Sequence, residues 1–308
     1  MKRLALILLV ALATIDLSAR TWTSATGTAI EAELVSKNSM GVNLRRDSDG
    51  KEMFVKLAQL SEADQEWLAG GAEESASGPN LPEALAALVE ARGVALIQDD
   101  FNREDSEEKD DLGEPWATNS DSRAMGDKQN DLVDGTLVMA ISPRADHAIS
   151  TNVTTTETYG DCVLFVRMKI EEDGQLKLAY NDKADKSVWA GHINGVTITP
   201  SKLTIEDEKS ARFDMKYRED KESQEYKDAF AAAAKTLDVE VPVDEWVEVA
   251  TQHEGETVTV FINGEEVGSH TSPGFSHATK NHFAFAVPKK AIVDDFYLWK
   301  LAPVAAAE

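Results

Sequence analysis

Residues Trp246 to Gly264 constrain this chain more than any other stretch. Val258, Val260 and Ile262 alternate with Thr257, Thr259 and Phe261, the period-two pattern of a strand with one buried face. Asn263-Gly264 follows directly, two residues that accept positive φ and so close a type I′ hairpin. Asp294–Leu301 repeats the pattern near the C-terminus. Neither stretch carries a chemical motif, so the sequence speaks first about architecture.

From Val94 onward most of the chain reads as strand. The candidates are Leu132–Ala140, Cys162–Ile170, Gln175–Tyr180, Gly195–Thr199, Lys202–Glu206, Ala211–Met215, Trp246–Thr251, Thr257–Ile262, Phe283–Val287 and Asp294–Leu301. Many short strands separated by turn signals predict an antiparallel sandwich. One helical insertion is expected at 221–237, where Tyr226, Phe230 and Leu237 recur at helical spacing. Trp246 and Trp299 lie in strands and are expected in the core. Cys162 is the only cysteine, so an internal disulfide is impossible. It shares a strand face with Leu164, Val166, Met168 and Ile170, which makes it a small buried hydrophobe rather than a nucleophile.

The N-terminal part is organised differently. Met1-Lys2-Arg3 and the apolar run Leu4–Thr14 form an export signal over 1–19, too short to span a bilayer. Export to the periplasm, cell surface or medium is therefore expected. Residues 20–68 read as a small unit of strands Ala29–Val35, Gly41–Arg46 and Lys51–Leu57. Ser61 caps a short helix there, with Asp64 three residues on. Residues 69–93 read as a polar linker and a short helix, and 94–303 as the sandwich.

Two resemblances follow from these residues. Arg20-Thr21-Trp22-Thr23, Gly27, Glu31-Ala32, Leu44-Arg45-Arg46, Asp49-Gly50-Lys51 and Leu60-Ser61-Glu62-Ala63-Asp64-Gln65 resemble the SH3-like first homology domain of the Sla endocytic adaptor. Secreted bacterial proteins of planctomycete and verrucomicrobial type carry similar modules. The resemblance implies an SH3-like barrel that binds short peptides or proteins.

Asp99-Asp100-Phe101, Val133-Asp134-Gly135-Thr136-Leu137-Val138, Tyr159-Gly160-Asp161, Ile262-Asn263-Gly264 and Val293-Asp294-Asp295-Phe296 resemble a concanavalin A-like lectin/glucanase jelly roll. The order of these motifs is also similar to a bacterial keto-glycoside hydrolase family of that fold. Asn181-Asp182-Lys183 stands here in place of that family's Asn-Ser-Gly segment. The fold class expected is thus mostly β, a small barrel followed by a jelly-roll sandwich.

The 308 residues carry 55 Asp and Glu against 31 Lys and Arg, a formal charge of -24 at pH 7. Such a surface repels phosphate backbones and anionic lipid, so nucleic acid and membrane partners are not expected. Glucanases of this fold carry Glu-x-Asp-x-Glu on one strand, which lines up the acids that retaining hydrolysis needs. The match here, Glu62, Asp64 and Glu66, falls in a helical turn where residues two apart diverge. In Glu206-Asp207-Glu208 consecutive carboxylates alternate faces.

The six histidines show no His-Glu-x-x-His spacing. His270, His277 and His282 share one stretch that could meet a metal, and solvated loop residues explain them better. Asp99–Asp111 and Asn181–Asp185 offer oxygen ligands, and calcium is implied by the lectin resemblance alone; no other cofactor is expected. A sugar site needs an aromatic plane beside amides and carboxylates. Trp189 with Asp182, His192 and Asn194 is one such collection, and Trp116 with Asn119 and Asp121 is a second.

The sequence thus favours an exported, non-catalytic binding protein: glycan or polysaccharide on the sandwich, peptide or protein on the small domain. A glycoside or keto-glycoside hydrolase using acids from separate strands is the alternative. A structural cell-surface protein is the third.

Overall fold

The computed structural model describes residues 20–37, 41–70, 79–103 and 108–303. The export signal expected over 1–19 and the polar stretch 71–78 lie outside them. The chain divides into two compact units, Met1–Ala76 and Ser77–Glu308.

In the first unit, β1 (Arg20–Thr23), β2 (Ala29–Lys37), β3 (Gly41–Arg46) and β4 (Glu52–Lys56) form an antiparallel meander, followed by α1 (Glu62–Gly70). Trp22, Ala32, Val42, Leu44, Leu60 and Leu68 make its core. Ser61 caps α1 as its position predicts, accepting the Asp64 N–H at 3.2 Å and donating to the Asp64 carboxylate at 2.9 Å. Among the described residues no ladder joins β1 to β4; one isolated bridge, Ser24 to Leu60, stands in its place. The expected barrel is therefore an open sheet. A groove of about 180 Å³ lies between Trp22, Ile30, Leu44, Met53, Val55 and Leu60.

The second unit starts with α2 (Glu83–Arg92) and β5 (Gly93–Asp99), then β6 (Trp116–Thr118), α3 (Ser120–Arg123), β7 (Asn130–Val133) and β8 (Thr136–Ala140). Next come β9 (Ile149–Tyr159), β10 (Cys162–Ile170), β11 (Leu176–Asn181), β12 (His192–Ile198) and β13 (Lys202–Asp207). The last elements are α4 (Gln224–Ala233), β14 (Ala234–Asp238), β15 (Val247–Glu254), β16 (Thr257–Ile262), β17 (Glu265–Thr271), β18 (Lys280–Val287) and β19 (Lys290–Leu301).

They form the predicted antiparallel sandwich. One sheet runs β17-β16-β15-β10-β19-β8-β7, with β5 also on β19; the other runs β14-β13-β12-β11-β18-β9-β6.

Alternation decides what lies between the sheets. Cys162, Leu164, Val166, Met168, Val249, Val260, Phe296 and Leu298 meet Leu176, Leu178, Tyr180, Val196, Ile198, Phe283 and Phe285. Each such side chain contributes roughly 1.5–3 kcal/mol when fully buried. Burial pushes the Cys162 thiol up to about 12, in keeping with its reading as a core residue.

Helix α2 belongs to this unit rather than to a linker. Its Leu85 is buried with Val163, Phe165, Ala250, Trp299 and Leu301 on the outer side of the β10 sheet. Trp299 is therefore buried beneath a helix rather than between sheets, whereas Trp246 is only half-buried, with the Arg167 and Lys169 cations over its ring.

Three local expectations change. Leu132–Ala140 is a hairpin, turned by Asp134 and Gly135 at φ 50 and 78. The insertion expected over 221–237 is helical only to Ala233, because Leu237 and Thr236 pair with Leu203 and Thr204 as an edge strand. Ala211–Met215 holds a single bridge, Asp214 to Val188, in place of a strand.

Candidate functional site

The candidate site lies on the outer face of the seven-stranded sheet. Leu176, Leu178 and Tyr180 of β11 point into the core, so Lys177, Ala179 and Asn181 point out. Cross-strand pairing sets the rest. Ala284, Ala179 and Gly195 lie in one row as a floor of small residues, with Asn152 at one end and Glu206 at the other. His282, Asn181 and His192 form the next row. A bulge produces that second row: the register slips between Tyr180/Asn194 and Asn181/His192, skipping Ile193. Bulges re-aim side chains in this way.

The Lys177 stem lies across Gly195, where any side chain would have its Cβ 2.5 Å from Lys177 Cε. Lys177 Nζ donates to Glu208 Oε1 at 2.6 Å. The other Glu208 oxygen stands 3.8 Å from His192 Nδ1. The His192 ring stacks on Phe213, centroids 4.2 Å apart and planes 23° off parallel. His282 bonds Asn152 Oδ1 through Nε2 at 3.1 Å and Asn181 Nδ2 through Nδ1 at 3.4 Å. The pair is self-consistent if the proton sits on Nε2, leaving Nδ1 to accept. Glu206 accepts from Arg212 at 2.6 Å.

The electrostatics follow from this crowding. Burial first, then the charges of Lys177, Lys183, His147 and Arg212, lower His192 to about 4. Burial, then Lys183 and His192, lower His282 to about 4. Both rings are therefore neutral at pH 7. Burial and the charge of Glu208 raise the Glu206 carboxyl. His192 Nδ1, Glu208 Oε2 and Asn181 Oδ1 are buried with no hydrogen-bond partner. Each such group costs about 1–3 kcal/mol. His192 Nδ1 and Glu208 Oε2 face each other across 3.8 Å, and Asn181 Oδ1 lies in the same row as His192.

The sequence candidates scatter. His192 is at the centre of the site. Trp189 is about half exposed at 49%, with the Arg218 guanidinium 3.6 Å from its ring centre. Asp182 is buried and serves as a clamp, accepting from Thr279 at 2.7 Å and bonding His277 at 2.9 Å.

Asn194 pairs with Tyr180 and so faces the sheet interior, away from the site. Trp116 is a correction: it is core, stacked on Phe285 at 5.7 Å with its indole N–H on Asp99 at 2.5 Å, and offers no sugar a plane. Asn119 ties down Ala148 and Ser150 through backbone bonds, and Asp121 is exposed. That second collection does not form a site.

His270, His277 and His282 also separate. His270 faces Phe275, and His277 lies between Asp182 and Lys209 at 2.9 and 3.0 Å. Among the described residues no three His, Cys, Asp or Glu side chains come together to hold a metal. The described carboxylates of the acidic stretches make hydrogen bonds within the protein. Asp110 accepts from Ser120 and Gln129 and Asp182 from Ala184, while Asp185 is held by Ser187 and Lys209.

Lys177, Lys183, Phe213 and the Glu206/Glu208 pair were not singled out as site residues from the sequence. The alternation seen in Glu206-Asp207-Glu208 was the usable signal. With Asp207 turned inward onto Ser272 and Gly274, the two glutamates are left on the outer face.

Solved structures with similar backbones share little sequence with this chain. An endo-β-1,3-glucanase from Pyrococcus furiosus is 12% identical over 69% of this chain and 96% of its own, with a TM-score of 0.46. A carbohydrate-binding module from Bacillus subtilis is 12% identical over 64% and 99%, with a TM-score of 0.39. A β-glucanase from Bacillus licheniformis is 10% identical over 68% and 99%, with a TM-score of 0.44. No curated protein matches the chain. A family model does, across residues 101–292, which takes in every strand from β6 to β18 and the whole of the face described above. By that match the chain belongs to the 3-keto-alpha-glucoside-1,2-lyase-like domain family.

Proposed function

We propose that the outer face of the seven-stranded sheet binds a 3-keto-glucoside and eliminates its C1 substituent, with His192 as general base. A ketone at C3 acidifies the C2 proton. His192 Nε2 takes that proton, the C2–H electron pair passes into the C3 carbonyl as an enolate, and its return expels the C1 oxygen with the C1–O pair. The proton then passes from His192 to the departing alcohol, so the products are an enone sugar and a free aglycone. Glu208 holds the positive charge that His192 gains, and Lys177 holds Glu208 in place.

One observation carries this reading: a neutral imidazole with Nδ1 turned to a buried carboxylate 3.8 Å away, while its ring keeps 30% of its surface open to the outside. A base must be unprotonated at working pH and within reach of the carbon acid. The neutral ring and its open side support the first of these; the second is what the assay below tests.

A second reading is glycan binding without cleavage, favoured by the half-exposed plane of Trp189. The test is release of 4-nitrophenolate from 4-nitrophenyl 3-keto-α-glucoside. The wild type should release it, and His192→Ala should lose activity 100-fold or more. Retention of glycans with no release would establish the second reading instead.

A further inference from the structure

Among the described residues, three cations at or beside this face are tied to carboxylates. Lys177 bonds Glu208 at 2.6 Å, Arg212 bonds Glu206 at 2.6 Å and Lys209 bonds Asp185 at 2.7 Å. Lys183 differs. Its ammonium donates to the Ala190 carbonyl at 3.1 Å, and among the described residues no carboxylate lies within ion-pair range of it. In a chain with 55 acidic residues, a cation left unneutralised beside two neutral imidazoles is an unusual arrangement.

The backbone that carries that ammonium is held in place. Asp182 N–H bonds the Gly191 carbonyl at 2.8 Å, closing the loop between β11 and His192. The Lys183 N–H bonds Asn281 Oδ1 at 3.0 Å, one residue before His282. Gly191, at φ 77, packs so closely that a Cβ there would lie 2.3 Å from the Asp182 carbonyl oxygen and 3.0 Å from Lys183 Cα. Asp182 itself is clamped to His277 and Thr279. Lys183 is thus set between the segments that deliver His192 and His282, and its charge is felt by both rings.

We infer that Lys183 is a catalytic residue that binds the C3 oxygen of the substrate and carries the negative charge developing there as C2 loses its proton. The inference rests on the elimination reading above and names the group that reading lacks, an electrophile for the enolate. A cation that meets a developing oxyanion stabilises the transition state more than the ground state. Its bond to Ala190 uses one of three ammonium protons, leaving donors for the substrate. Chemically the step is the one already balanced: the enolate oxygen receives a hydrogen bond and charge from Lys183, no bond to nitrogen forms, and the oxygen returns to a carbonyl as the aglycone leaves.

The test compares wild type, Lys183→Met and Lys183→Arg on 4-nitrophenyl 3-keto-α-glucoside, with thermal unfolding to confirm that each variant is folded. Lys183→Met should lower kcat 100-fold or more while KM changes less than fivefold. Lys183→Arg should recover at least a tenth of the lost rate. Calorimetric binding of the corresponding unoxidised glucoside, which develops no oxyanion, should be equal in wild type and Lys183→Met. A folded Lys183→Met with wild-type kcat overturns the role of Lys183 and leaves the elimination standing. A loss confined to KM, or shared by the unoxidised glucoside, makes Lys183 a binding group only. An inactive wild type overturns the elimination reading and this assignment with it.

Discussion

His253 offers the cleanest measurement of what a buried, neutral histidine contributes to this fold. Its ring lies against Tyr180, centroids 4.2 Å apart, and neither ring nitrogen has a hydrogen-bond partner. Burial, and then the charge of Lys280, hold its pKa well below the ordinary value of 6.5. The sign follows. Below pH 6.5 the unfolded chain protonates at this position and the folded one does not, so stability is full above pH 6.5 and falls as pH drops.

At pH 5 the deficit is 1.5 pH units at about 1.36 kcal/mol each, or about 2 kcal/mol. His253→Phe keeps the ring contact and removes the titration. Any packing cost of the larger ring is the same at both pH values and cancels in the comparison. The advantage of the variant over wild type should therefore grow by about 2 kcal/mol between pH 7 and pH 5. In a unit of this size that is a difference of about 4–8 °C in Tm, read by calorimetry. Parallel pH profiles for the two proteins would refute the reasoning and show that His253 takes a proton in the folded state as readily as in the unfolded one.

Two further outcomes follow from the core. Gly274→Ala would bring a Cβ to 2.1 Å from Asp207 Oδ1, disrupting a buried carboxylate that accepts from Ser272, Gly274 and Ser210. Urea unfolding should show a loss of at least about 2 kcal/mol. Cys162, fully buried and raised to about 12, should resist thiol reagents in the native protein at pH 8 and label only at the rate of unfolding; rapid native labelling would place the thiol at the surface.

The sandwich was legible because its strands are written in local alternation. Val258-Thr259-Val260-Phe261-Ile262 shows its buried face without reference to any other segment, and Asn263 and Gly264 take the turn at φ 50 and 83 that their types allow. Strands lacking that contrast were missed. In β9 the threonines blur the division between Ile149, Thr151 and Val153 on one side and Ser150, Asn152 and Thr154 on the other. β17, Glu265–Thr271, is polar because it is an edge strand. The open first sheet shows the opposite failure: the strands and the Ser61 cap were readable, but closure depends on β1 meeting β4, which no local pattern encodes.

The site was illegible for a related reason. His282, Asn181 and His192 form one row only because β18, β11 and β12 are neighbours, and the bulge that skips Ile193 brings His192 into it. A search for acids on a single strand finds catalysis of the glucanase kind and passes over a row of side chains assembled this way. Local clustering in sequence placed Asn194 beside His192, yet one strand position turns it inward toward Tyr180. The same alternation that set Glu206 and Glu208 apart from Asp207 gives both glutamates to the outer face. What distinguishes Glu208 is its neighbours, Lys177 across the sheet and His192 behind the bulge, and pairing across a sheet is the information a single strand does not carry.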